Sequence, residues 1–253
     1  MKALEGRRAL ICGATQGIGN AIARAFAKEG AEVVALARSE DRLQTLNSEI
    51  KGDVLVADLD DRASLKIKVQ GYLQSKGPIH ILVNNSSGPP PGLLLEATED
   101  QFLSAFSRHV LASHLLMQLC LPGMQSSGFG RIINIVSTSV REPIPNLGVS
   151  NTIRGATASW AKTLAGELPP GVTINNILPG FTNTPRLATL KKSLTTAHGS
   201  PEAVEKIWIS HIPEGRIGKA EEIANAAVFL ASPQAGYVRG VSLAVDGGRM
   251  RSI

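Results

Sequence analysis

No apolar run in this 253-residue chain reaches the roughly 18 residues that cross a bilayer, so no membrane partner is expected. Cysteine is scarce. Cys12 and Cys120 are too few for a disulfide framework and both lie in apolar runs, which points to buried thiols in a reducing, cytoplasmic setting. Aromatic residues make up only 4%, and the basic residues are scattered, not clustered with aromatics. The formal net charge of +5 therefore reads as a mildly basic surface and not as a nucleic-acid face. Tyr72 and Tyr237 are the only tyrosines. Residues 1–12 carry Lys2, Arg7 and Arg8 before an apolar stretch too short for a signal peptide, and read as the approach to a first strand.

Short β-branched runs alternate with longer helical patterns. Strands are expected over 9–12, 32–37, 53–57, 79–84, 131–136, 173–178 and 242–245. Helices are expected over 17–29, 40–50, 62–76, 99–125, 147–168 and 220–230, with an irregular helical excursion over 185–212. This rhythm predicts a parallel sheet covered by helices on both faces. Its strands are nearly continuous apolar runs, as strands buried on both sides should be. With no linker and no repeat, residues 1–253 read as one domain.

The first strand runs into Cys12-Gly13-Ala14-Thr15-Gln16-Gly17-Ile18-Gly19, and a helix follows. Gly13 permits a tight turn. Gly17 and Gly19 let backbone approach a pyrophosphate and let the helix pack on the sheet. Thr15, Gln16 and Ile18 complete the cradle, and the helix N-terminus offers free N–H groups to an anion. The alternative is a tight strand–helix turn without a ligand.

This cradle, Asp58 after strand three, Asn84-Asn85 closing strand four, Ser137 closing strand five, Pro179-Gly180 after strand six and Asp246-Gly247-Gly248 together resemble the short-chain dehydrogenase/reductase family over nearly the whole chain. The resemblance implies a single-domain α/β Rossmann fold, a doubly wound parallel sheet of about seven strands, and a homo-oligomer, tetramer or dimer. It implies a nicotinamide cofactor, with Asp58 and Leu59 at the adenine, Asn84 near the adenosine ribose, and Pro179, Gly180, Thr182 and Thr184 at the nicotinamide end. After strand two the family's acidic position is Ala37, followed by Arg38 and Ser39, which favours NADP(H) over NAD(H) because a guanidinium pairs with a 2′-phosphate. Gln16 departs from relatives that carry a basic residue in the glycine loop. A solvated helix-start residue is the other reading of Arg38.

The reaction centre departs from the family pattern. Ser137 keeps the serine that holds substrate oxygen. Thirteen residues on, the family's proton-transferring tyrosine is replaced by Ser150; four further, its lysine is replaced by Arg154; the supporting asparagine falls at His109. An alkyl hydroxyl is a far poorer acid than a phenol, and a guanidinium stabilises negative charge without shuttling protons. Ser150 and Arg154 share a helix face and suit a carboxylate, a phosphate or a developing alkoxide. His109 has an ordinary pKa near neutrality and is a candidate acid, directly or through water; otherwise it is a packed helix histidine.

Gly88-Pro89-Pro90-Pro91-Gly92 and Glu142-Pro143-Ile144-Pro145-Asn146 are expected at the carboxyl edge of the sheet beside the substrate. Residues 185–212 are expected to form a substrate lid hinged at Gly199-Ser200-Pro201, with Phe181, Trp208 and Ile209 as an apolar wall and Arg186, Lys191 and Lys192 as possible partners of an anionic small molecule. No metal site is assigned. The leading expectation is an NADP(H)-binding oxidoreductase of carbonyl/alcohol pairs. A nicotinamide-binding protein without turnover and a cofactor-independent lyase on the same fold are the alternatives.

Overall fold

The computed structural model describes residues 2–252, with backbone alone at 196–198. Seven strands form one parallel sheet: β1 (Arg8–Cys12), β2 (Glu32–Ala37), β3 (Asp53–Val56), β4 (Ile81–Asn84), β5 (Gly130–Ile135), β6 (Val172–Pro179) and β7 (Ser242–Val245), in spatial order β3-β2-β1-β4-β5-β6-β7. This is the expected doubly wound Rossmann sheet, with strand limits within two residues of expectation.

Alternation along the strands builds two cores. Ala9, Ile11, Ile81, Val83, Ile133 and Ile135 face α1 (Gly17–Lys28), α2 (Glu40–Ile50) and α9 (Ala220–Ala231), where Ile22, Phe26, Leu43 and Ile223 bury. Leu10, Cys12, Leu82, Ile132 and Ile174 face α3 (Arg62–Lys76), α5 (Ala112–Ser126) and α6 (Gly148–Glu167), where Leu65, Leu116, Cys120 and Ala161 bury. Each fully buried Leu, Ile or Phe contributes about 1.5–3 kcal/mol. Both thiols are buried and free, and burial pushes Cys12 up to about 12.

The long helix expected over 99–125 is interrupted. Glu99–Phe106 (α4), capped by a Thr98/Gln101 box, passes through a π-type turn at Ser107–Leu111 before α5 begins. Such a turn adds a residue to the helical repeat and re-aims side chains, here His109. The excursion over 185–212 is two regular helices, α7 (Pro185–His198) and α8 (Pro201–Ser210), each opened by a hydroxyl N-cap and a proline.

Candidate active site

At the carboxyl edge of the sheet, where the chain leaves β1 and β4 toward opposite faces, lies a cleft of about 420 Å³. Gly13 (φ +61°) and Gly17 (φ +56°) lie in the left-handed region, and a Cβ on Gly19 would sit 2.2 Å from the Gly13 carbonyl oxygen. Gly19 itself does not line the cleft; it lets the helix come close enough for Thr15, Gln16, Gly17 and Ile18 to do so. Gln16 occupies the N-cap of α1 without capping it, which leaves first-turn N–H groups and the positive helix end for an anion. These features fit a dinucleotide pyrophosphate.

At the adenosine end, Arg38 and Asp58 face one another at 3.8 Å, both with substantial exposure, and Leu59 and Ser39 line the wall beside them. Ser39 is the N-cap of α2 and its side chain makes no cap bond. Where Gln16 withholds a basic side chain from the glycine loop, Arg42 brings one: it lines the cleft and donates to Gln16 Oε1 at 3.2 Å. Arg42 stands in the first turn of α2, whose N-cap is Ser39, so the helix start brings it to the same end of the cleft as Arg38.

Asn84, expected near the ribose, does not line the cleft. It is buried, and its Nδ2 donates to Asn134 Oδ1 at 2.8 Å, the first rung of a ladder across in-register strands. Asn134 Nδ2 donates onward to Asn176 Oδ1 at 2.9 Å, and Asn176 Nδ2 to Ser242 Oγ at 3.1 Å. Its neighbour Asn85 lines the cleft, donating to the Cys12 and Gly13 carbonyls at 3.2 and 3.4 Å. Successive strand residues face opposite ways, so a one-residue difference decides which asparagine reaches the cleft wall.

At the other end, Ser137, Ser150 and Arg154 all line the cleft. Ser137 Oγ accepts from the Ser139 N–H at 3.1 Å. Arg154 Nη1 donates to the Ile135 carbonyl at 2.7 Å. Burial first, then nearby Arg186, pushes the Arg154 guanidinium down to about 10, so it remains a cation at neutral pH. Arg186 also lines the cleft, and its Nη2 donates to the Pro89 carbonyl at 2.6 Å. Pro179 and Gly180 line the nicotinamide end with Thr182 and Thr184. The Thr184 hydroxyl is engaged locally, capping α7 at Leu187 and donating to the Thr182 carbonyl at 3.2 Å.

His109 does not line the cleft. It is buried, with Nδ1 2.7 Å from the Oγ of Ser86, which does line it. Burial, then Arg154 and Arg108, hold the imidazole well below its ordinary pKa. The candidate acid at 109 therefore stands behind Ser86, with burial and two guanidinium charges favouring its neutral form. Neither tyrosine compensates: Tyr72 hydrogen-bonds Asp53 at 2.7 Å, and Tyr237 is fully exposed beyond α9.

From residues 185–212, Pro185, Arg186, Leu187 and Leu190 line the cleft. Phe181 lines it and stacks on buried Trp208 at 4.9 Å, while Ile209 does not reach it. Lys191 is turned to Glu205 at 2.6 Å, joining α7 to α8, and Lys192 is exposed; neither lines the cleft. The two proline-rich loops pair with each other, Gly92 N–H donating to the Asn146 carbonyl at 2.8 Å. Arg249, on the tail after β7, also lines the cleft and donates to Thr138 Oγ1 at 3.2 Å, a contact no local pattern announces.

A glycine cradle at the switch point of a doubly wound sheet, with cations at the adenosine end and a serine at the end of β5, defines an NAD(P)-binding oxidoreductase fold. A family model described as enoyl-(acyl carrier protein) reductase matches residues 13–249. The chain belongs to the short-chain dehydrogenase/reductase family. It is 34% identical over 256 residues to the 3-oxoacyl-[acyl-carrier-protein] reductase FabG of Thermotoga maritima, covering 97% of this chain and 98% of that one. To the NADPH-dependent reductase BacG of Bacillus subtilis it is 30% identical over 259 residues, covering 98% and 99%. The structure of L-sorbose reductase from Gluconobacter frateurii, complexed with NADPH and L-sorbose, superposes with a TM-score of 0.91 at 32% identity, covering 100% of both chains.

Proposed function

We propose that this protein is an NADP(H)-dependent reductase of a carbonyl compound, or dehydrogenase of the matching alcohol, with proton handling that departs from the family pattern. The observation that carries the proposal is that Ser137, Ser150 and Arg154 line the same cleft as the glycine cradle and the Arg38–Arg42 pair. NADP(H), when bound, supplies the redox equivalents. Gly13 to Gly19 hold its pyrophosphate, and Arg38, Arg42 and the free Ser39 hydroxyl hold the 2′-phosphate, which selects it over NAD(H).

The hydroxyls of Ser137 and Ser150 hold the substrate oxygen by donating to it, and Arg154 stabilises the negative charge that develops there. Ser150 is too weak an acid to give up a proton, and Arg154, fixed on the Ile135 carbonyl, serves as a standing positive charge. The alkoxide's proton therefore comes from bulk solvent through a water chain in the open cleft, which returns hydroxide to the buffer, and neutral His109 orients the Ser86 hydroxyl at the cleft wall. Residues 185–212 act as the lid of this one-domain enzyme. Leu103, Phe106 and Leu111, exposed along α4 and its π-type turn, support assembly into a homo-oligomer, which light scattering tests.

Calorimetric titration with NADPH and NADH, followed by NADPH consumption over a panel of carbonyl compounds, tests the function. NADPH binding with turnover is the expected result, and binding of no nicotinamide overturns it. One observation favours a second reading: both tyrosines lie outside the cleft. Binding without consumption of NADPH over the panel selects a nicotinamide-binding protein without turnover. The intact cradle counts against a cofactor-independent lyase.

A further inference from the structure

The substrate end of the cleft carries more positive charge than a neutral carbonyl requires. Among the described residues, six arginines line the cleft and a single acidic side chain, Asp58, which faces Arg38 at the far end. Arg108 is neutralised by Asp60. Arg154 and Arg186 have no carboxylate partner among the described residues. Each spends a nitrogen on a backbone carbonyl, Ile135 for Arg154 and Pro89 for Arg186, which fixes the guanidinium without cancelling its charge.

The two converge on Gly88. A side chain there would begin 3.5 Å from Arg154 Nη2, 3.6 Å from Arg186 Nη2 and 3.9 Å from Ser150 Oγ. Gly88 has no left-handed φ that would demand glycine. Its bare backbone leaves unfilled the point where a side chain would touch two cations and a hydroxyl at the cleft wall. Two guanidiniums held this near each other repel, and an anion between them relieves that repulsion while accepting charge-assisted hydrogen bonds from both.

We infer that Arg154 and Arg186, above the bare backbone of Gly88, form a clamp for a substrate carboxylate. Because Ser150 borders the same space, that carboxylate stands one or two carbons from the carbonyl held by Ser137 and Ser150. The substrate class is a short 2-oxo or 3-oxo acid and not a thioester whose acid group is masked. The inference rests on the reductase reading for its carbonyl, but the clamp itself is testable without it.

The test titrates oxalate, and uncharged oxamide as control, into the protein with and without NADP⁺, for the wild type, Arg186→Gln and Gly88→Ala. NADPH affinity is measured for each in parallel. Oxalate is expected to bind where oxamide does not, and each substitution is expected to weaken it roughly ten-fold or more while NADPH affinity holds within about two-fold. Gly88→Ala keeps both arginines and fills the space with a methyl group, so its loss separates occupancy of the clamp from net charge. Oxalate binding indifferent to both substitutions overturns the clamp. So does loss of NADPH affinity in Arg186→Gln, which would assign Arg186 to a cofactor phosphate. Absence of NADPH binding in the wild type sinks the reductase reading alone, because the oxalate titration without cofactor still decides the clamp. With turnover established, 2-oxo acids should be consumed and their methyl esters should not; equal rates with both overturn the carboxylate.

Discussion

Arg154 Nη1 donates to the Ile135 carbonyl at 2.7 Å, fastening the middle of α6 to the last residue of β5. The bond aims the rest of the guanidinium at Gly88 and sets Ser150, one turn earlier, beside it. Position, charge and fork geometry are thus fixed before any substrate arrives, and lysine would reproduce only the charge.

Restoring the family's acid tests that arrangement. In Ser150→Tyr with Arg154→Lys, a phenol near a movable ammonium replaces an alkyl hydroxyl beside a fixed guanidinium. Reduction of neutral ketones is expected to rise by about 10²-fold in kcat/KM, measured by NADPH consumption. No gain over a broad panel would mean that the cleft does not present a carbonyl to position 150.

Cofactor choice is the second prediction. Arg38→Ala should weaken NADPH by about 10- to 100-fold, the value of a charged hydrogen bond, and leave NADH nearly unchanged. Arg42→Ala should act in the same direction, since its guanidinium lies at the same end of the cleft on Gln16. Calorimetric titration of both cofactors checks this; equal losses for both would remove the 2′-phosphate assignment.

His109 makes stability depend on pH in a definite direction. Its folded pKa is depressed, while the unfolded chain takes up a proton near pH 6.5. Its contribution is therefore complete above about 6.5 and falls as pH drops toward the folded value, by up to about 1.4 kcal/mol per pH unit. Urea midpoints of the wild type should decline between about pH 6.5 and 5.5, and His109→Asn should flatten that decline. Parallel curves would mean the imidazole does not titrate on unfolding.

The asparagine ladder should be costly to break. Asn134 is both donor and acceptor, so Asn134→Ala strands Asn84 and Asn176 in the sheet interior. A loss of about 2–4 kcal/mol is expected from urea unfolding, with cofactor affinity per folded molecule unchanged, because none of the three lines the cleft.

Local sequence settled a good deal. The βαβ rhythm fixed the sheet because apolar runs of strand length have to be buried on both faces. The glycines at 13, 17 and 19 fixed the cradle because no other residue tolerates that backbone and that approach. The i,i+4 spacing put Ser150 and Arg154 on one helix face, and the family resemblance marked them as departures from its pattern. Tertiary structure decided the rest. Which of Asn84 and Asn85 meets the cleft followed from strand register, and the π-type turn buried His109. Arg42, Arg186 and Arg249 reached the cleft from three separate elements, and Lys191 was taken up by Glu205. Periodicity reports what lies on one face of one element. Which charges converge, and which are cancelled, depends on how elements distant in the chain close on one another.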